Sequence, residues 1–413
     1  MRSVAVRIAV ASGWPWAGRL IRPVTGTFRA LWTAEAASVL GDQLAKVALA
    51  VLIYERTGSA AWSGLAYALT MFTPMVTGPT LSKLGDRVRR RELMALCCLL
   101  QAGCVAVMAL PEVPLGVLVG AVVGVSGLAS PFRAARSAIV LDILGKEHNK
   151  AGRARLMMIR ESGQLIGLAG AAGVIAVTGV TVALIADVVS FLIAAALIRF
   201  GLRARLAPRS LLPGSGSNPS AWQVLRDPSV RPLVGLILAI GVTAVPDAVV
   251  VPLVDQSGAP DWAVGLLLAA DCLGIVLGAY LVGRLAPDRQ RALIGPLAVL
   301  SMAPLVLFAV RPGLVPMIAL LVVSGAGAAY LPLAFGEYTE RVPAAITSSA
   351  NGLLDAGFKA SQGAAAITGG VLAQQFRSAS MAVALIGVLG VLLAGCFALT
   401  WIRALRTPQV IVE

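Results

Sequence analysis

Twelve apolar stretches, each close to the length an α-helix needs to cross a bilayer, constrain this chain more than any other feature. The hydrocarbon core takes about 20 mostly apolar residues in helical form, because a lipid-facing backbone has to satisfy its own N–H and C=O groups. The stretches run approximately over residues 30–54, 61–83, 93–110, 114–140, 157–178, 180–200, 232–255, 262–285, 291–310, 314–338, 350–373 and 379–402, and are called spans 1 to 12. Only 13% of residues are charged and 58% are hydrophobic, which excludes a soluble enzyme of ordinary composition. A net charge of +14 suggests nucleic acid in a soluble protein. Here the basic residues sit between apolar stretches, where they set membrane orientation, so no nucleic-acid partner is expected. The expected fold class is all-α and integral to the membrane.

Loop charge fixes the expected orientation. The N-terminal arm, every second loop and the C-terminal tail together carry 26 Arg and Lys; the opposite side carries only Arg56, Arg311 and Arg377. The positive-inside rule then places both termini in the cytoplasm of a multi-pass cell-membrane protein. Between spans 6 and 7 the chain holds Pro208, Pro213 and Pro219 with Gly, Ser and several arginines, which is linker composition. The expected organisation is an arm (1–29), an N-terminal six-helix bundle (30–200), a cytoplasmic linker (201–231), a C-terminal six-helix bundle (232–403) and a tail (404–413). The arm carries five arginines and no sustained apolar core, so it does not read as a signal peptide.

Several chemistries find no residues to perform them. The five cysteines lie inside apolar stretches and the single histidine, His148, in a basic loop. We read the cysteines as small buried hydrophobes and expect no metal and no cofactor. There is no phosphate-binding Gly-x-x-x-x-Gly-Lys-Ser/Thr loop and no plausible Ser/His/Asp set, so neither an ATP-driven pump nor an enzyme is expected.

The two halves are weakly similar at an offset of 201 residues. Trp62-Ser63-Gly64-Leu65 lies over Trp262-Ala263-Val264-Gly265-Leu266, with Gly64 on Gly265. Ser82-Lys83-Leu84-Gly85 lies on Gly283-Arg284-Leu285-Ala286, and Arg90 on Arg291. A repeated six-helix half is the organisation of one large class of secondary transporters.

The loop Ser82-Lys83-Leu84-Gly85-Asp86-Arg87-Val88-Arg89-Arg90-Arg91 carries a family resemblance. It resembles the signature loop of the major facilitator superfamily (MFS) between transmembrane helices 2 and 3, with Leu84, Asp86, Arg87, Arg90 and Arg91 matching. Ser82 and Arg89 replace the two usual glycines. Gly41-Asp42 and Tyr54-Glu55-Arg56-Thr57-Gly58-Ser59 are similar to the twelve-helix drug- and macrolide-exporter branch. The resemblance implies two pseudo-symmetric six-helix bundles around a central substrate site. Helices 1, 4, 7 and 10 would line it, and helices 2, 5, 8 and 11 would meet at the interface. It also implies that Asp86 caps the cytoplasmic end of helix 11 and that Arg90 pairs with Asp142, as a conformational switch. The Gly-Pro-x-x-Gly-Gly of drug antiporters is only half met on span 5, which has Gly163, Gly167, Gly170 and Gly173 but no proline.

Ionisable side chains inside spans are costly, of order 2.5–3.5 kcal/mol at mid-bilayer on the insertion scale, and so mark functional candidates. Asp42 and Lys46 on span 1 share a helix face at i,i+4 spacing, as do Asp355 and Lys359 on span 11. Asp247 on span 7 and Asp271 on span 8 have no partner in their own helices. Asp42, Asp247 and Asp271 are therefore the candidates for proton coupling. Arg133 and Arg136 follow Pro131 on span 4, and read either as cavity cations or as side chains snorkelling to headgroups. Asp187 on span 6 reads as packing or hydrogen bonding. Pro74, Pro79, Pro246, Pro252 and Pro332 are expected to bend their helices.

The reading is a monomeric secondary transporter working by alternating access, exporting an amphipathic or cationic small molecule against protons. The alternative is transport of an anionic metabolite, with Lys46, Arg133, Arg136 and Lys359 as counter-charges. A membrane sensor without transport is a third class.

Overall fold

The computed structural model describes residues 26–81, 89–201, 230–342 and 347–406, and every regular element among them is helical. Spans 1 to 3 form α1 (Gly26–Thr57), α2 (Ala60–Leu81) and α3 (Arg90–Met108). Spans 4 to 6 follow one another in helical geometry as α4 (Leu115–Gly201). Those 87 residues would extend about 130 Å if straight, several times the bilayer core. They fold back instead. Gly163 and Gly167 meet Val39 and Gln43 of α1, while Gly41, between those two, meets Asp187 and Ser190. The chain reverses between spans 5 and 6 at Gly179, whose φ of +80° is open to glycine and strained for other residues.

Span 7 is broken into α5 (Arg231–Ala239), a 3-10 turn (Ile240–Thr243), α6 (Ala244–Ala248) and α7 (Val250–Gln256). Pro246 and Pro252 lack the N–H groups that a continuous helix needs at those positions, and the backbone leaves helical geometry at Val249. Spans 8 and 9 are α8 (Ala263–Gly283) and α9 (Pro287–Val306). Span 10 splits into α10 (Leu314–Gly327) and α11 (Tyr330–Arg341), just ahead of Pro332. Spans 11 and 12 are α12 (Thr347–Gln375) and α13 (Ala379–Arg406). Pro74 and Pro79 lie within α2, which continues through both.

Eight helical stretches among the described residues are long and apolar enough to cross a membrane by composition alone. Spans 1, 2, 5 and 11 are helical but fall outside that set. For spans 2 and 11 polar content is the reason. α2 carries Ser63, Tyr67, Thr70, Thr73 and Thr77, and α12 carries Asp355 and Lys359. α2 and α12 also pack against each other across the halves. A Cβ at Gly64 would meet the Ala366 carbonyl at 2.5 Å, and one at Gly370 would meet that of Ala60 at 2.7 Å. Helices that face a partner need less lipid-compatible surface.

The tight turns share one face. Left-handed backbone occurs at Gly58, Glu112 and Gly179 in the first half, and at Gly258, Arg311 and Arg377 in the second. Each sits in the turn of one span pair, so the two halves reverse direction in the same way three times. We call this the turn face. On the opposite, basic face, Arg291 of α9 pairs with Glu337 of α11, and Arg341 reaches the same carboxylate at 2.5 Å. Trp401 of α13 closes the knot, with the Arg341 guanidinium 5.0 Å from its ring and its indole N–H donating to the Arg291 carbonyl. Arg291 is the 201-residue counterpart of Arg90. Leu84, Asp86 and Arg87 lie outside the described residues, as do the linker (201–231) beyond its ends and the side chains of Arg90 and Asp142. Arg91 approaches Glu92 of its own helix at 4.0 Å.

Candidate functional site

A cluster of charged and polar side chains lies between the halves, and Lys46 is its centre. Lys46 is half-buried on α1, and its Nζ is 3.6 Å from Asp247 Oδ2 on α6. The i,i+4 spacing pointed to Asp42 as its partner; the ion pair instead crosses from one half to the other. Local spacing places side chains on one face of a helix, but tertiary packing decides which counter-charge is nearer. Asp247, without a partner in its own helix, thus finds one in the other half. Asp42 is exposed on α1 within electrostatic reach of Cys98 on α3.

Tyr67 of α2 completes the inner contact. Its hydroxyl donates to the same Asp247 Oδ2 at 3.3 Å, and its ring lies 5.4 Å from the Lys46 ammonium. One carboxylate therefore receives a cation and a phenol, both from the N-terminal half. Asp247 follows Pro246 at the break in span 7, where backbone carbonyls are released from the helical pattern. Asp271 of α8 lies within electrostatic reach of both Asp247 and Lys46. Its neighbour Cys272 accepts a 3.4 Å contact from the Gln164 amide on span 5. The site thus draws on spans 1, 2 and 5 from one half and 7 and 8 from the other.

The repeat symmetry locates this cluster. Lys46 and Asp247 are separated by 201 residues, the offset that relates the halves. Two turns along α1, the Tyr54 hydroxyl donates to Asp255 Oδ2 at 3.1 Å, and this pair is also 201 residues apart. A residue can touch its own repeat counterpart only beside the axis that relates the repeats. Both pairs therefore mark the pseudo-twofold axis, Tyr54–Asp255 on the turn face and Lys46–Asp247 deeper. Beside them, Ala68, Ala248 and Ala366 form a small apolar cluster with Tyr67, Phe72 and Ile367, closing the space between α2, α6 and α12.

The remaining candidates are placed elsewhere. Asp355 and Lys359 form their i,i+4 pair on α12 at 2.7 Å. The Arg133 Nε donates to the Ala129 carbonyl one turn back, and Arg136 lies on the same helix, half-buried. Asp187 is 1% exposed and accepts from the Ser190 hydroxyl at 3.0 Å, a packing contact against Gly41. Among the described residues no group of His, Cys, Asp and Glu is arranged to hold a metal ion. Tyr67, Gln164 and Cys272 were not marked by sequence reasoning. The Lys46–Asp247 pair was open to it, since adding the repeat offset to 46 gives 247.

The fold has known relatives in structure. A nucleoside transporter, NupG, superposes with a TM-score of 0.70 at 13% identity, covering 92% of this chain and 99% of that one. A peptide transporter, POT, bound to alafosfalin matches with a TM-score of 0.73 at 14% identity, over 97% and 99% of the two chains. A bacterial homolog of the human lysosomal transporter Spinster, inward-facing and unoccupied, matches with a TM-score of 0.67 at 14% identity, over 92% and 98%. No curated protein matches the chain by sequence. The family model of the Major Facilitator Superfamily matches residues 31–335, well over half of the chain. With a twelve-span helical architecture, a repeated half and that match, the chain belongs to the major facilitator superfamily.

Proposed function

We propose that this transporter exports a cationic or amphipathic small molecule in exchange for protons, with the Lys46–Asp247 pair as the coupling element. The observation that carries this reading is the position of that pair, an ion pair between the halves on their pseudo-twofold axis. Parallel-repeat transporters place their substrate at the repeat interface near the bilayer midplane. A proton on Asp247 neutralises the carboxylate and frees both Lys46 and the Tyr67 hydroxyl. The halves then lose their central tie and can rock apart on the turn face. Asp271 supplies a second carboxylate within reach, so a cationic substrate and a proton compete for the same charge. Asp42, on α1, is the third acid of this set.

The charge balance supports cation over anion. Asp247 and Asp271 face a single lysine that is already engaged, and an anionic substrate would have to displace a carboxylate to reach it. The 26-to-3 asymmetry of loop charge supports the orientation, with the basic face, both termini and the linker in the cytoplasm. The turn face is then extracytoplasmic. The Tyr54–Asp255 and α2–α12 contacts on that face make this the conformer closed to the outside. The residues of the loop 82–91, with Asp142, act as the switch at the cytoplasmic side. The unit is a monomer.

The test uses inverted membrane vesicles with an acidic lumen and a pH-sensitive dye. Hydrophobic cations, macrolides and anionic metabolites are added in turn. Dye recovery with the cations or macrolides, lost in Asp247→Asn and Asp271→Asn, supports the proposal. Recovery only with anions, lost in Lys46→Ala and Arg133→Ala, replaces it with the anionic reading. Labelled compound that moves without any dye response removes protons from the mechanism.

A further inference from the structure

We propose that the turn face of the C-terminal half binds a phosphate-bearing anion between Arg311 and Arg377. A cavity of about 260 Å³ opens there, bounded by the end of α7 around Gln256, the turn at Arg311 and Pro312, and the start of α13 at Ser378 and Ser380. Both arginines line it. It is smaller than the roughly 300–1,000 Å³ of drug-sized pockets, which suits a single headgroup or phosphate.

Two independent preferences act against an arginine at each of these positions. The first is charge. The side of the protein that carries them has only one other basic residue, Arg56, yet two of the three converge on one cavity. The second is backbone. Arg311 and Arg377 have φ of 51° and 49°, a region that costs a side chain with a Cβ and suits glycine or asparagine. The corresponding turns of the N-terminal half hold Glu112 and Gly179, so the turn geometry itself does not call for a cation.

Nothing described in the protein neutralises the two guanidinium groups. Among the described residues neither makes an ion pair, and both are exposed. The N-terminus of α13 is already served from within: Gln256 Oε1 accepts from the Ala379 and Ser380 amides, and Ser378 Oγ from that of Met381. Anion binding therefore falls to the paired guanidiniums, whose planar donor forks match phosphate oxygens. The phosphate could belong to a lipid headgroup at the membrane boundary or to a free ion.

Native mass spectrometry of the full-length protein in detergent, with added dioleoylphosphatidylglycerol, tests this. The variants are R311N/R377N, in which asparagine keeps the left-handed backbone, and R56Q as a control on the same face. The wild type and R56Q should retain the lipid, with about tenfold weaker retention in the double variant. Retention by the wild type should also fall between about 0.05 and 0.5 M salt, because the attraction is between charges. Displacement by millimolar inorganic phosphate identifies a site for any phosphate; resistance to it identifies a site that needs the lipid. If the double variant does not purify as a single species, R311N and R377N singly carry the same comparison. Equal retention by wild type and variants, or equal loss in R56Q, overturns the proposal.

Discussion

Lys46 is an ammonium inside a span, and its neighbours explain how it is tolerated. Asp247 offsets its charge, and the Tyr67 ring offers a π-face on another side. Removing either member of the pair leaves the other uncompensated. Lys46→Ala and Asp247→Ala should each destabilise the protein by about 1–2 kcal/mol, below the value for a fully buried pair because both side chains are partly exposed. The double variant should recover part of that loss in thermal unfolding of the solubilised protein. Tyr67→Phe keeps the ring under the ammonium and removes one hydrogen bond of about 1 kcal/mol from the tie, so the halves should separate about fivefold more readily and exchange should speed up. Rates in proteoliposomes read this directly. The acids and the lysine stood out in the sequence because charges inside spans are rare. Tyr67, Gln164 and Cys272 did not, because a neutral polar residue on an apolar helix looks the same whether it faces a cavity or a neighbour. The i,i+4 rule found Asp355–Lys359, where both residues share one helix face. It missed Lys46–Asp247, where the other half brings a carboxylate closer.

At the scale of elements, the α2–α12 seam and the knot on the basic face do different work. The seam depends on backbone-to-backbone approach at Gly64 and Gly370. Gly370→Leu has no room in this conformer and should shift the population toward separation on the turn face. A cysteine placed at Tyr54 should then react faster with a bulky maleimide, with transport reduced about tenfold. The knot holds one half together. Glu337 serves Arg291 and Arg341 at once, and Glu337→Gln should lower stability by about 2 kcal/mol, because the shared negative charge is lost and one of its two acceptor oxygens becomes an NH2 donor, while Arg291 keeps access to solvent. Prolines 246 and 252 announced the break in span 7, and the structure puts Asp247 within it. Pro74 and Pro79 lie inside α2, which continues through both as one helix. The polar content of spans 2 and 11 keeps them out of a purely compositional count of membrane helices, although their length gives them away.

For the whole molecule, the repeat is the organising fact. Twelve spans, a 201-residue offset and six matching turns describe two copies of one bundle facing each other. The contacts between repeat counterparts, Lys46–Asp247 and Tyr54–Asp255, run down the axis between the copies. The fold class followed from the sequence because bilayer thickness dictates span length and a lipid-facing backbone must satisfy its own hydrogen bonds. Substrate chemistry did not, because it depends on which helix faces turn inward, and only the packed structure assembles Lys46, Tyr67, Asp247 and Asp271. The central claim is that the axial pair couples protons to transport. Purified protein in liposomes separates coupling from binding, once with a pH gradient driving uptake and once with substrate counterflow and no gradient. Asp247→Asn should lose gradient-driven accumulation by tenfold or more, while counterflow stays within about threefold of wild type. Gradient-driven accumulation that survives in Asp247→Asn at the wild-type level would contradict the account.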